Sequence, residues 1–336
     1  TVYATGNHDP GESGRRAHAL DWPEGVTVVT GPEPVRVDVR DAYGRIVGRV
    51  TAAGHPTARE TRDLVAAFPA PEGSVPEVGL VHAQVVDARA GEAHEPYAPT
   101  EVRTLRRSGY DYWALGHVHV RQQVADDPPA WYPGNLQGRH PRETGDKGGL
   151  LVEMEEGRSP VVEFRSLAPV RWETLVVEGL ADFRTVETLA RAVEERWRTE
   201  RAEDPGRPGT EWAVRFDLRG PSPLHRELRH EEDVTTLERE LAARLDLLDA
   251  EVRADGIHAP IDPEPHRDRQ DVLGEALRML TEARTDDELL EKVKPDVLAG
   301  RIPEKGEHGY LRSLLDGLDG DLVSRMVESD PGERGA

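Results

Sequence analysis

Three short apolar runs, each ending on a cluster of metal-type donors, constrain this chain more than any other feature. Val2-Tyr3-Ala4-Thr5 leads into Gly6-Asn7-His8-Asp9, and Val78-Gly79-Leu80-Val81 leads into His82. Tyr112-Trp113-Ala114-Leu115 leads into Gly116-His117-Val118-His119. Short continuous apolar runs bounded by turn formers predict buried strands. Open α/β sheets place their sites in the crevice outside the carboxyl ends of such strands. Amide-oxygen and imidazole donors suit Mn, Fe or Zn, and not a thiolate site. His117 and His119 are two apart, so on an extended segment they would face the same side.

The rest of the pattern predicts a strand over 26–29, a hairpin of 35–39 with 46–50, and helices over 57–68 and 100–108. Residues 148–155 and 161–167 predict antiparallel strands that close the sheet. A second strand-helix-strand-helix-strand order follows: 172–177, 186–199, 212–218, 231–243 and 247–254. After a Pro-rich linker at 260–268, helices are expected over 270–283, 287–292 and 310–327. His55, in Ala53-Gly54-His55-Pro56-Thr57, could approach the site from a strand end but reads as a loop residue. His18, His94, His225, His230, His258, His266 and His308 lie in polar surroundings and read as solvated.

The order GNHD, an isolated His after a strand, then GHxH resembles the calcineurin-like metallophosphoesterase superfamily. That resemblance implies two metal ions about 3.5–4 Å apart that clamp a phosphate and activate a water. By motif, Asn7, His82 and His117 would bind one ion and His119 the other. His8 would protonate the leaving oxygen or stabilise charge, with Asp9 orienting it, since a carboxylate on an imidazole fixes its tautomer.

Trp131-Tyr132-Pro133-Gly134-Asn135-Leu136-Gln137-Gly138-Arg139-His140-Pro141-Arg142-Glu143 then resembles the "YPGNLQGRHxRE" run of SbcD-like bacterial DNA-repair exonucleases. Pro-Gly-Asn is turn chemistry, and Arg139, His140 and Arg142 are donors that suit phosphate oxygens. The alternative for those three side chains is a basic turn that only packs.

The family's opening motifs, DxH and GDxxD, are not found in the sequence. They would supply the first metal's Asp and His and the bridging Asp. The expectation is a fragment of a longer exonuclease, inactive alone; the competing account is a degenerate relative that no longer cuts. The fold implied is α/β, a metallophosphoesterase β-sandwich flanked by helices over 1–168. A smaller α+β capping domain over 169–262 and a helical region over 263–336 would follow.

Composition agrees with this reading. At 336 residues two domains are expected. The absence of Cys removes disulfides and thiolate sites and fits a reducing cytoplasm. No apolar run approaches the ~20 residues of a membrane helix. The net charge of −21 argues against coating DNA by bulk electrostatics. Residues 1–168 hold 18 basic and 24 acidic side chains, a net −6, so −15 of that charge lies beyond them.

The function expected is metal-dependent, Mn(2+)-type hydrolysis of DNA phosphodiesters in double-strand-break repair or end processing. The rivals are a phosphomonoesterase or small-molecule phosphodiesterase, and a scaffold that binds DNA ends or an ATPase without cutting. The resemblance implies DNA, an SMC-like ATPase and a homodimer as partners, and no membrane. Leu311, Leu314, Leu315 and Leu318 recur at helical spacing and form the stripe expected to dock the ATPase.

Overall fold

Parallel pairing of strands that are apolar on both faces organises the first half of the chain. The computed structural model describes residues 1–13, 20–87, 97–293, 307–315 and 317–328. It divides into two compact units: residues 1–139 with 145–169, and residues 140–144 with 170–336.

In the first unit a two-stranded parallel sheet joins β1 (Val2–Ala4) to β2 (Thr27–Val29). Six further strands form the main sheet: β3 (Val35–Arg40), β4 (Ile46–Ala53), β5 (Glu77–His82), β6 (Tyr112–Gly116), β7 (Gln122–Asp126) and β8 (Pro129–Tyr132). Their order is β3-β4-β5-β6-β8-β7. The four central strands run parallel, and the two edge strands are antiparallel to their neighbours. Alternate residues Ala53, Val81, Trp113, Leu115, Ala130 and Tyr132 point to one face, where they pack with Leu64, Val65, Leu105 and Tyr110. Leu105 comes from the short helix α1 (Val102–Arg107). The parallel register sets His82 beside Gly116, so β5 and β6 end at one level and their polar clusters emerge together.

Two expectations fail in this unit. Residues 57–68 are irregular except for one tight turn at Val65–Ala67. There the Glu60 carboxylate takes the Arg62 amide and guanidinium, and the Glu60 carbonyl takes the Ala98 amide. Side-chain and long-range bonds thus replace the helical ladder. The antiparallel strands β9 (Gly148–Glu153) and β10 (Val161–Ser166) form and pair as expected, but as a sheet of their own.

The second unit holds a three-stranded parallel sheet, β11 (Val170–Val177), β12 (Glu211–Pro221) and β13 (Asp249–His258). Its crossovers are α2 (Val186–Glu203) and α3 (Glu231–Leu245). Leu189, Val193 and Trp197 recur every four residues and bury one face of α2, as Leu237 and Leu241 do for α3. Thr185 caps α2 reciprocally with Thr188.

The later helices are α4 (Val272–Ala283), α5 (Asp287–Val293), α6 (Glu307–Ser313) and α7 (Leu318–Glu328). The single helix expected over 310–327 is therefore two, parted near Gly317, whose φ of 74° is left-handed. Leu311 and Leu315 are buried with Leu280, Ala283 and Leu290. The proposed docking stripe is mostly internal core; Leu314 alone of the four is strongly exposed. Among the described residues no helix is long and apolar enough to cross a membrane. The class is mixed α/β, as expected.

Candidate metal centre

The loop after β1 is shaped by its own polar groups. Asp9 accepts from the Gly6 amide at 2.9 Å through one oxygen and from the Tyr3 hydroxyl through the other. It therefore closes the loop through both carboxylate oxygens. Thr5, fully buried, donates its amide to Val29 O at 3.0 Å. Asn7 is left facing β5, with Oδ1 at 2.8 Å from His82 Nε2. Two ligands each about 2.1 Å from one ion stand roughly 3 Å apart, so this spacing suits adjacent donors to a shared cation. Gly6 makes the approach possible: a Cβ there would sit 2.5 Å from His82 Nδ1.

The His82 ring centroid lies 5.2 Å from that of His117. Burial first, then the neighbouring imidazoles of His55, His117, His8 and His119, push His82 down to about 3. It is therefore neutral at ordinary pH, the form that binds metals. His117 is not on an extended segment. Its φ of 112° lies in a region that L-residues rarely adopt, and the chain bends there. Such backbone costs of order 1–3 kcal/mol and clusters at functional sites. The bend buries Val118 and leaves His117 and His119 both lining one pocket of about 180 Å³. Asn7, His8, His82 and the turn 133–135 complete that lining.

The run after β8 supports this bend. Tyr132, 1% exposed, donates its hydroxyl to Ala83 O at 2.6 Å and accepts from the Val85 amide at 2.9 Å. Both partners lie just past His82. Gly134 (φ 77°) carries the turn against the His119 carbonyl, to which the Asn135 amide donates at 3.2 Å. Of the three basic candidates, Arg139 reaches His119, with Nη2 at 3.5 Å from Nδ1, too long for a strong bond. His140 and Arg142 fall in the second unit, where His140 Nδ1 accepts from the Arg142 amide at 3.2 Å.

Two histidines are misplaced by the sequence expectation. His55 is fully buried, its Nε2 donating to the His82 carbonyl at 2.7 Å. His225 is also buried, against Ser222 O and Ser324 in the second unit. His55 has no local signal because its partner lies 27 residues away in sequence, and His225 joins a local bond to Ser222 with a partner 99 residues away. His18 and His94 lie outside the described residues.

Asn7, His82 and His117 have the donor chemistry for one borderline divalent cation, and His119, at the same pocket, has it for a second. Among the described residues no three His, Cys, Asp or Glu side chains stand in ligand arrangement for a metal. The fit is thus to a partial site, with an amide oxygen as one of its donors.

No family model matches the chain. It is 31% identical over 226 residues to an uncharacterized metallophosphoesterase, YhaO, of Bacillus subtilis (strain 168), covering 65% of this chain and 50% of the relative. The chain spans about half the length of the curated relative it matches. The likeness supports a relation to metallophosphoesterases over the matched residues.

Proposed function

We propose that this chain carries part of the active site of a Mn(2+)-dependent DNA exonuclease that processes ends in double-strand-break repair. The observation that supports it is the convergence of Asn7, His8, His82, His117 and His119 on one pocket at the carboxyl ends of β5 and β6. The 131–143 run, with its likeness to DNA-repair exonucleases, favours DNA over a small phosphoester. Divalent cations, when bound, neutralise phosphate charge and make a water more acidic.

Asn7, His82 and His117 would hold one cation and His119 a second. His8 is exposed and lines the pocket, where it would pass a proton to the leaving oxygen. Arg139 beside His119 would meet a phosphate oxygen; His140 and Arg142 are assigned the same role. An SMC-like ATPase and a second copy remain the proposed protein partners.

The test is Mn(2+)-dependent degradation of linear DNA by the protein encoded by the whole reading frame, compared with p-nitrophenyl phosphate. DNA should be degraded, and His8→Ala should abolish turnover while Mn(2+) binding survives. His82→Ala should lose Mn(2+). Cleavage of the small ester with DNA left intact would favour the phosphomonoesterase instead. The 336-residue chain alone should not cut, because too few donors position a water.

A further inference from the structure

We infer that His55 is a positioning residue for the Asn7–His82 donor pair, an inference that rests on reading those two residues as ligands to one cation. His55 lies two residues past the end of β4, whose Ala53 pairs with Val81 of β5. That register carries the His55 ring alongside the end of β5. Its Nε2–H donates to the His82 main-chain carbonyl at 2.7 Å, and its ring meets the His82 imidazole edge-on, centroids 5.2 Å apart. One side chain thus contacts both the backbone and the ring of the same histidine.

The main chain of His55 holds the other donor. Its amide donates to Thr5 O at 3.0 Å, and its carbonyl accepts from the Gly11 amide and the Thr5 hydroxyl, both at 2.9 Å. Thr5 and Gly11 are the two feet of the loop that presents Asn7. A single residue therefore joins both feet of that loop to the end of β5, and the 2.8 Å Asn7–His82 approach lies between them.

Packing alone does not account for histidine here. Its Nδ1 is buried with no hydrogen-bond partner among the described residues. An unpaired buried polar atom is destabilising, because it has given up water without gaining a partner. An aliphatic residue would fill the space without that cost, so the gain must come from the Nε2 donor and the flat ring. Partners that orient metal-binding side chains typically change affinity by about 10–100-fold.

The experiment compares the 336-residue chain with its His55→Leu and His55→Gln variants; leucine keeps bulk without a donor, and glutamine restores a donor at the same reach. In the metal-free proteins, long-range ¹⁵N–¹H correlation spectra report the His82 imidazole, assigned by its loss in His82→Ala. We expect the His82 signals to shift or broaden in His55→Leu and to return toward wild type in His55→Gln. In Mn(2+) titrations followed by electron paramagnetic resonance, His55→Leu should bind about tenfold more weakly or worse, and His55→Gln within about threefold of wild type.

His82 signals unchanged in His55→Leu, or equally displaced in both variants, would overturn the proposal, whatever the melting temperatures. If wild type binds no Mn(2+) while the His82 signals still follow residue 55, the positioning stands and the metal reading fails.

Discussion

Removing one oxygen atom, in Tyr132→Phe, should loosen the candidate site without touching any proposed ligand. The Tyr132 hydroxyl is shared between Ala83 O and Val85 N, and these two residues are 0% and 1% exposed. The substitution leaves one carbonyl and one amide buried without that partner, and each such group costs about 1–3 kcal/mol. Phenylalanine keeps the ring packing among Leu115, Val85 and Ala130, so no cavity larger than the lost oxygen contributes. The expected loss is about 2–4 kcal/mol, the lower end if water reaches the pair.

Urea unfolding measures the total. Hydrogen-exchange mass spectrometry of segments 77–87 and 112–120 assigns it to the first unit, because the Trp residues of both units confuse fluorescence. Faster exchange in those two segments, with 211–221 unchanged, is the predicted pattern. A loss below about 0.5 kcal/mol, the range of an ordinary surface change, would refute the idea that this hydroxyl holds the chain after His82.

Two further outcomes follow from burial. Leu315→Asp puts a carboxylate among Leu280, Ala283, Leu290 and Leu311, and should cost about 3–5 kcal/mol, read as a lower melting temperature with loss of helical circular dichroism; a change within about 0.5 kcal/mol would return the stripe to the surface and to partner docking. Acid should destabilise the metal-free protein from about pH 6.5 downward: His82 is held at about 3 in the fold, so the unfolded chain takes up a proton that the fold refuses, and stability present above 6.5 is lost as pH falls. For His82 alone the loss between pH 7 and pH 5 is about 2 kcal/mol, and a flat stability profile over that range would contradict its burial as a neutral imidazole. Glu60, held down to about 2 chiefly by its bond to Arg62, adds to acid loss only below its ordinary value of 4.5.

The strands that carry the site are visible in the sequence because each is an apolar run stopped by polar residues, a signal contained within six or seven positions. The β3–β4 hairpin is visible for the same reason, with Gly44 at φ 80° in its turn. What escapes is whatever depends on distant partners. Residues 57–68 carry enough helix formers to suggest a helix, yet Glu60 is drawn to Arg62 and to Ala98 across 38 positions. The 310–327 segment keeps helical spacing through Gly317, and only its left-handed backbone shows the break. Asp9 follows His8 directly, which suggests a pair, while its bonds to the Tyr3 hydroxyl and the Gly6 amide arise from the folded loop and leave no mark in the sequence pattern.

The same distinction separates the two parts of the 131–143 run. Tyr132, Gly134 and Asn135 are all engaged in holding the ends of β5 and the His117–His119 bend, through the Ala83 carbonyl, the Val85 amide and the His119 carbonyl. A run of turn and aromatic residues beside a metal-type site therefore has a structural purpose that any phosphoesterase built on this sheet could use. Under the proposed function, specificity for a substrate would come from side chains other than these three. Within the unit that holds the pocket, Arg139 is the strongest such candidate, exposed and with its guanidinium beside His119. Substituting Arg139 should then weaken a polyanionic substrate more than a small phosphoester and leave the fold unchanged, whereas substituting Tyr132 should impair both substrates alike.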